Sequence, residues 1–272
     1  MQSAPISDSF ESECGSIKTY ITYTIDDDNH INKDKLHNIS SVYVEMLRPP
    51  SIHAFQTFDK FSLVSLTWMG VTKIEVSKLG LTMLPEMPPS LRYLDARSNS
   101  IAKLPPGMNH LLYLDVSCNV LSSLPNNLYR LQQLYCAFNM LTDLPASLIK
   151  VRVLSCENNN ISSLPRMIHV HTIDCSVNDI EELPRMPCIR KLDCSRNKIA
   201  KLPDQDKMPN IQLLDISYNR ISSIPCLPTL KSLTCRGNNI KRLPHGMVSL
   251  KMLKSDNIET LPGDIHLKWD TV

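Results

Sequence analysis

Residues 111–145 read LLYLDVSCNVLSSLPNNLYRLQQLYCAFNMLTDLP and contain one pattern twice, with a spacing of 20 residues. The pattern is L-x-x-L-x-Φ-x-x-N-x-Φ-x-x-L-P, in which Φ is an apolar residue and x is any residue. Aligned on this pattern, the chain has ten repeats, which start at Val71, Leu91, Leu111, Leu131, Val151, Val170, Ile189, Ile211, Leu230 and Leu250. Successive starts are 19 to 22 residues apart. A period near 20 residues with this spacing of leucine and asparagine is typical of a leucine-rich repeat solenoid.

Each repeat predicts one short strand and one buried asparagine. In the repeat at Leu111, residues 111, 114 and 116 should turn inward, while Tyr113, Asp115 and Ser117 point outward with the strand period of two. Strands of successive repeats should stack in parallel about 4.8 Å apart. The predicted ladder, in which side-chain amides satisfy backbone groups, consists of Asn99, Asn119, Asn139, Asn159, Asn178, Asn197, Asn219 and Asn238.

A proline follows the second inward apolar residue of every repeat, from Pro85 to Pro262. Proline fixes φ and donates no hydrogen bond, so the convex side should be extended or polyproline-like. The predicted fold class is therefore an α/β-type solenoid. It is a leucine-rich repeat horseshoe with a parallel β-sheet on the concave face and a small N-terminal cap.

Four segments follow from the composition along the chain. Residues 1–16 are polar and serine-rich and are predicted to be disordered, while residues 17–70 are predicted to form an N-terminal cap. In the cap we expect a strand at 17–25, a helix through Leu36, Tyr43 and Leu47, and a strand at 58–66. A small independent domain is the alternative for this segment. Residues 71–262 form the ten repeats, and residues 263–272 form a C-terminal cap or tail.

Composition favours a cytoplasmic protein. The formal net charge is +2 with no basic or acidic block, so neither nucleic acid nor an anionic membrane is an expected partner. No stretch has the length of a membrane-spanning helix, so no membrane insertion is expected, and no secretory signal precedes the repeats. Five cysteines occupy the inward strand position: Cys136, Cys156, Cys175, Cys194 and Cys235. A column of buried thiols suits a reducing compartment.

The motifs give no catalytic site, no cofactor and no metal site. His169 and His171 could ligate a metal, but further ligands are missing and a solvated loop is the better interpretation. The stacked cysteines could be a redox site, although core packing explains them better. No grouping of a nucleophile with a base is present, so we expect a non-enzymatic protein that is a monomer or a weak oligomer.

The concave face holds the candidate binding residues. Outward positions of successive strands line up in columns, and exposed aromatic residues near arginine are typical of interface hot spots. An aspartate followed by serine is also ordinary repeat consensus, so the aspartates carry less weight than the aromatic residues. The face should be centred on repeats two to four. The predicted protein-binding residues are Tyr93, Asp95, Arg97, Tyr113, Asp115, Tyr135, Phe138, Asp174, Asp193, Arg196, Asp215, Tyr218 and Arg236.

The proline-rich repeats resemble a known class. LPEMPPSLRYLDARSN (84–99), LPRMPCIRKLDCSRN (183–197) and IPCLPTLKSLTCRGN (224–238) resemble the bacterial type of leucine-rich repeat. This type occurs in type III secreted effectors of the invasion-plasmid-antigen H and Yop M kinds. The resemblance implies an effector-like virulence protein that binds host proteins in the host cytoplasm; viral proteins carry similar repeats. Some family members add a ubiquitin-ligase domain with a C-x-D motif. No cysteine here has that motif, so we expect a chain without the ligase domain.

The expected function is a protein–protein interaction module that binds a partner protein, with a host protein as one candidate, through the concave face. Two alternatives stay open. The chain could be the substrate-recognition part of a ubiquitin ligase or another enzyme whose catalytic domain is absent or on another chain. It could also be a structural solenoid in a larger assembly.

Overall fold

The computed structural model describes residues 41–43, 72–84, 87, 89–265 and 267 of the 272-residue chain. Its strands are three residues long and pair in parallel, in chain order, to form one sheet. They are β1 (Ser41–Tyr43), β2 (Lys73–Glu75), β3 (Tyr93–Asp95), β4 (Tyr113–Asp115), β5 (Gln133–Tyr135), β6 (Val153–Ser155), β7 (Thr172–Asp174), β8 (Lys191–Asp193), β9 (Leu213–Asp215), β10 (Ser232–Thr234) and β11 (Met252–Lys254). The predicted parallel solenoid is confirmed.

The core lies behind this sheet and is continuous from Ile74 to Ile265. The central residue of each strand from β2 to β11 turns inward, and the register places Leu94 beside Leu114 and Leu114 beside Leu134. All three leucines are fully buried. Burying one leucine stabilises the fold by roughly 1.5–3 kcal/mol. Within a single repeat these leucines have few apolar contacts. The stability of each turn therefore depends on packing against the turns on either side.

The asparagine ladder is also confirmed. The Asn119 amide donates to the carbonyls of Ala96 and Val116 at 3.0 Å each, and its Oδ1 accepts from the N–H of Ile101 at 2.9 Å. Equivalent bonds are present for all eight predicted asparagines, from Asn99 to Asn238. Each amide thus joins consecutive turns of the solenoid.

The first repeat has Leu79 where the others have asparagine, and the next repeat compensates. The N–H groups of Leu79 and Leu81 both donate to Asn99 Oδ1 at 3.0 Å. Leu79 itself is buried. The apolar substitution therefore leaves these N–H groups satisfied while it adds apolar surface to the core.

The residue before each ladder asparagine, and before Leu79 in the first repeat, has a left-handed backbone, which the repeat pattern does not reveal. Positive φ values between 53° and 59° occur at Lys78, Ser98, Cys118, Phe138, Asn158, Val177, Arg196 and Tyr218, and Gly237 has φ 63°. Only glycine, and to a lesser degree asparagine, favours this backbone region. For other residues the left-handed conformation raises the free energy of the chain by about 1–2 kcal/mol. Here the ladder on both sides holds the turn, and the side chain is directed away from the core.

The convex side is not helical, as the prolines predict, and consists of turns and segments without regular secondary structure. Among the described residues the exception is one turn of 3-10 helix, Gln205–Lys207, in which the N–H of Lys207 donates to the carbonyl of Asp204 at 2.9 Å. This turn lies in the repeat that starts at Ile189, which is the longest of the ten. It accommodates the extra residues without changing the strand register. No helix in the described part of the chain is long and apolar enough to cross a membrane.

The predicted helix in the N-terminal segment is wrong over residues 41–43, which form β1 and pair with β2 in parallel. Without β1, the N–H and carbonyl groups of β2 would be an open sheet edge, and such an edge recruits a strand. Ser-Val-Tyr contains a β-branched and an aromatic residue, which favour strands. The predicted disorder at 1–16 and the predicted strands at 17–25 and 58–66 lie outside the described residues.

The last repeat differs from the others because it is two residues shorter between Leu253 and Leu261. Asn257 lies one position earlier than the ladder asparagines, and its amide donates to the carbonyl of Asn238 at 2.9 Å. Beyond it, Ile265 is buried and its N–H donates to the carbonyl of Pro262 at 3.1 Å. Trp269, predicted to belong to a terminal cap, lies outside the described residues.

Candidate functional site

Three tyrosines form a row on the concave face. Tyr93 and Tyr113 are the first residues of β3 and β4 and are paired in register, and Tyr135 is the last residue of β5. The rings of Tyr93 and Tyr113 stack with centroids 4.2 Å apart and an angle of 8°. The Tyr135 ring lies 5.5 Å from that of Tyr113, tilted by 41°. Lys73 Nζ lies 4.8 Å from the centroid of the Tyr93 ring. We call Tyr93, Tyr113 and Tyr135 the tyrosine row.

Partial burial raises the pKa of the first two tyrosines further above neutral pH. Desolvation raises the pKa of Tyr93 and Tyr113 above the ordinary value of 10.0, and nearby carboxylates add to the effect on both. At neutral pH both hydroxyls therefore retain their protons and can donate hydrogen bonds. The stacked faces contact each other, so the rings present mainly their edges to a partner.

Asp95 and Asp115, predicted as contact residues, are buried, with exposures of 5% and 6%. Asp95 Oδ1 accepts from the N–H of Arg97 at 3.2 Å, and its Oδ2 lies 3.4 Å from Arg97 Nε. Arg97 Nη1 lies 3.8 Å from Asp115 Oδ2. Burial raises the pKa of Asp95, while the N–H and charge of Arg97 oppose the increase. The two carboxylates therefore position Arg97, whose side chain is about half exposed, beside the tyrosine row.

Asp174, Asp193 and Asp215 form a second feature, which we call the acidic row. They end β7, β8 and β9 and are aligned in register. Each accepts a hydrogen bond from the N–H of the serine two residues later, at 2.9 to 3.1 Å. Burial raises the pKa of Asp193, and the charges of Asp174 and Asp215 raise it further. Within the described part of the chain, none of the three forms an ion pair.

Arg196 and Tyr218 form a separate pair at the edge where the chain leaves the sheet. The Arg196 guanidinium lies 4.7 Å from the centroid of the Tyr218 ring. Gly237 lies against the ring: a Cβ there would be 2.5 Å from Tyr218 Cδ1. Only glycine fits this contact, and its φ of 63° also favours glycine. Sequence reasoning missed this role of Gly237, although a glycine beside a ladder asparagine was a visible signal.

Arg236 and Phe138 lie apart from that contact. Arg236 Nε is 3.7 Å from Asp256 Oδ1, an exposed ion pair. Phe138 is half exposed, as is Met140 two residues later. The other eleven predicted residues form three groups on one curved face: the tyrosine row with Arg97 and its two carboxylates, the acidic row, and the Arg196–Tyr218 pair. Met140 was not predicted, because its position in the repeat is polar or charged in most other turns.

The inward cysteines are buried as predicted, and burial raises the pKa of their thiols. Cys136, Cys156, Cys175 and Cys194 are fully buried, and their thiol pKa values lie above the ordinary 9.0. The pKa of Cys235 is raised to about 12, also mainly by burial. The Cys175 thiol donates to the carbonyl of Asp193 at 3.4 Å. These thiols act as small core side chains. Of the described histidines considered as metal ligands, His169 is exposed and His171 is half buried.

No protein family model and no curated protein matches the sequence. Solved structures do match. The functional domain of InlJ from Listeria monocytogenes, which includes a cysteine ladder, superposes with a TM-score of 0.66 at 20% identity, over 80% of this chain and 48% of that one. YopM, a leucine-rich effector protein from Yersinia pestis, superposes with a TM-score of 0.62 at 28% identity, over 67% of this chain and 54% of that one.

A third match is the plant peptide hormone receptor RGFR1 in complex with RGF2, with a TM-score of 0.57 at 22% identity, over 69% of this chain and 35% of that one. The InlJ and RGFR1 matches show the fold alone. The present chain spans about half the length of the InlJ and YopM chains. The chain thus has the leucine-rich repeat fold, and it resembles bacterial leucine-rich repeat effectors such as YopM.

Proposed function

We propose that this chain is a non-enzymatic interaction module that captures a partner protein on its concave face, centred on the tyrosine row. The observation that carries the proposal is the packing of Tyr93, Tyr113 and Tyr135 into one partly exposed row with Arg97 held beside them. Tyrosine and arginine are enriched at interface hot spots.

The rigidity of the face supports high affinity. Neighbouring rings restrict one another, and two carboxylates restrain Arg97, so a partner loses little side-chain entropy when it binds there. The sheet behind these residues is a continuous parallel ladder. Binding should therefore leave the backbone of the solenoid nearly unchanged.

The resemblance to effectors supports a host protein as the partner and the host cytoplasm as the place of action. RGFR1, with the same fold, is in complex with RGF2, so a proteinaceous ligand is compatible with this architecture. An enzyme activity is not part of the proposal.

The test is affinity capture from host-cell lysate with the wild-type chain and the Tyr113→Ala/Tyr135→Ala variant, followed by mass spectrometry. The double variant should lose at least about 100-fold of its affinity for the captured partner, since two hot-spot rings are removed. The two tyrosine rings are not part of the hydrophobic core, so the circular dichroism spectrum should not change.

Met83→Ala is the control, because Met83 is exposed and lies between β2 and β3 rather than on the concave sheet. A protein retained by this control and lost from the double variant is the expected result. If the double variant captures the same proteins as the wild type, the concave-face assignment is wrong.

A further inference from the structure

Charge is segregated along the edge where the chain enters the sheet. Three positions lead into each strand. They are the residue just before the start of the repeat, the residue just after that start, and the first residue of the strand. In the repeat at Val151 these are Lys150, Arg152 and Val153. Over the described repeats the three positions carry nine lysines or arginines and no aspartate or glutamate. With a formal net charge of only +2 for the whole chain, this edge is strongly basic relative to the rest.

Backbone hydrogen bonds align these positions directly. The N–H of Arg152 donates to the carbonyl of Gln132 at 2.8 Å, and the N–H of His171 donates to the carbonyl of Arg152 at 2.8 Å. In the next repeat, the N–H of Arg190 donates to the carbonyl of His171 at 2.9 Å. Equivalent side chains therefore repeat at the strand spacing, about 4.8 Å.

The central cations of this edge are available to a partner. Arg130, Lys150, Arg152, Arg190 and Lys191 are exposed, and none of the five forms an ion pair within the described part of the chain. In solution such charges attract an anionic ligand that approaches along the edge.

Exposed apolar side chains accompany the cations. Tyr129, Ile149 and Ile168 occupy the same position in three consecutive repeats, two residues before the first inward residue, and are 54%, 46% and 38% exposed. Exposed apolar residues rimmed by charge mark interaction sites. We call these three residues, together with the five cations, the basic flank.

We propose that the basic flank binds an acidic amphipathic α-helix of a partner protein, with the helix axis running along the solenoid. A helix with one acidic residue per turn on the same face, three or four residues apart, presents a carboxylate about every 5.4 Å on average. The mismatch with the repeat spacing of about 4.8 Å is about 2 Å over four repeats, which long lysine and arginine side chains can absorb. An extended peptide presents same-face residues about 6.6 Å apart and would drift by about 5 Å over the same four repeats. The apolar stripe of such a helix covers Ile149 and its neighbours.

The surroundings favour a narrow protein ligand over a duplex or a bilayer. Asp193 of the acidic row lies two residues beyond Lys191 on the same strand, a distance of about 7 Å. A broad anionic surface would be repelled by the acidic row, whereas a helix about 10 Å wide can lie on the flank alone. Nucleic acid also lacks aliphatic groups to cover two exposed isoleucines.

The test uses a fluorescein-labelled helical peptide of about 18 residues, with Glu and Leu each repeated at helical spacing on one face. A scrambled peptide of the same composition is the probe control. Fluorescence anisotropy with the full chain should show binding of the helical peptide. The scrambled peptide should bind at least about tenfold more weakly, because its charges do not align.

Arg152→Glu/Arg190→Glu should weaken binding of the helical peptide at least about tenfold. Lys201→Glu/Arg220→Glu is the matched control: both residues are exposed and lie outside the three leading positions, and the net charge changes equally. Ile149→Ser should also weaken binding, whereas Tyr113→Ala/Tyr135→Ala should leave it unchanged, which separates this site from the concave face. Circular dichroism checks that each variant is folded.

Equal weakening by the control pair, or equal binding of the scrambled peptide, would overturn the proposal because either would indicate general charge attraction. Phosphatidylserine vesicles and a single-stranded oligonucleotide serve as competing ligands. The proposal also fails if either binds through Arg152 and Arg190 while the helical peptide does not bind.

Discussion

Asn159 illustrates how single residues hold the turns together. Its amide donates to the carbonyls of Cys136 at 3.0 Å and Cys156 at 3.1 Å, and its Oδ1 accepts from the N–H of Leu141 at 2.9 Å. These partners lie in two consecutive repeats. Because the site is buried, water cannot replace the side chain if it is removed.

We predict that Asn159→Ala lowers the free energy of unfolding by about 1–3 kcal/mol, since buried backbone groups lose their partners. Asn160→Ala is the control. Asn160 is the next residue but is exposed, and its loss should cost less than about 0.5 kcal/mol. Urea unfolding followed by circular dichroism measures both values. Equal losses for the two variants would show that the ladder bonds contribute little net stability.

At the same scale, the sequence predicted the ladder but not the backbone beside it. An asparagine at a fixed place in every repeat is visible without a structure. The left-handed residue before it varies from Phe138 to Val177, and a β-branched residue has little tendency to adopt this conformation alone. The ladder on either side imposes the conformation, so only the folded chain reveals it.

At the scale of the strands, parallel register brings like charges together. Asp174, Asp193 and Asp215 end neighbouring strands, and in the parallel register each faces the next. Burial and mutual repulsion raise the pKa of Asp193. Its folded state therefore binds a proton more tightly than its unfolded state. The associated stabilisation is present below the ordinary Asp value of 3.8 and is lost as the pH rises through the raised value.

It follows that Asp193→Asn should stabilise the protein at pH 7 by roughly 0.5 kcal/mol, the scale of like-charge repulsion across strands. The asparagine Oδ1 can still accept the hydrogen bonds from Ser195 that Asp193 accepts at 3.0 and 2.7 Å. The gain should disappear near pH 3, where the wild-type carboxyl is protonated. Urea midpoints at the two pH values provide the measurement.

Asp206→Asn, in the exposed convex turn, controls for the change in net charge and should have almost no effect at either pH. A gain for Asp193→Asn of equal size at pH 3 and pH 7 would contradict the electrostatic explanation.

At the scale of the whole molecule, one core joins all the described repeats from Ile74 to Ile265. The cysteine column lies within it, whereas Cys118 is exposed at the surface. A thiol reacts only as an accessible thiolate. Burial removes access and also raises the pKa of the column thiols.

Iodoacetamide should therefore modify Cys118 at least about 100-fold faster than Cys136, Cys156, Cys175 or Cys194 in the native protein, because reaction of the column needs opening of the core. Peptide mapping by mass spectrometry gives the rate at each site. In urea the four column thiols should become reactive over the same concentration range, since their turns share nearest-neighbour contacts. A column cysteine that reacts as fast as Cys118 would show that its turn opens independently.

What the sequence by itself determined is the repeating architecture. The period near 20 residues, the inward leucines, the asparagine column and the prolines each act through local geometry, so the pattern was sufficient for the sheet and the non-helical convex side. The columns on the concave face followed from the same register. The lysines and arginines of the basic edge can also be found in the sequence, once the register shows that equivalent positions of successive repeats lie side by side.

The tertiary structure alone decided how side chains from different turns share space. Asp95 and Asp115 occupy outward positions, yet contacts with neighbouring turns bury them beneath the surface that Arg97 presents. Tyr93 stacks on Tyr113, which is 20 residues away. Residues 41–43 form a strand because the sheet edge of β2 accepts them. Each outcome depends on neighbours distant in sequence, and a local pattern carries no information about packing across turns.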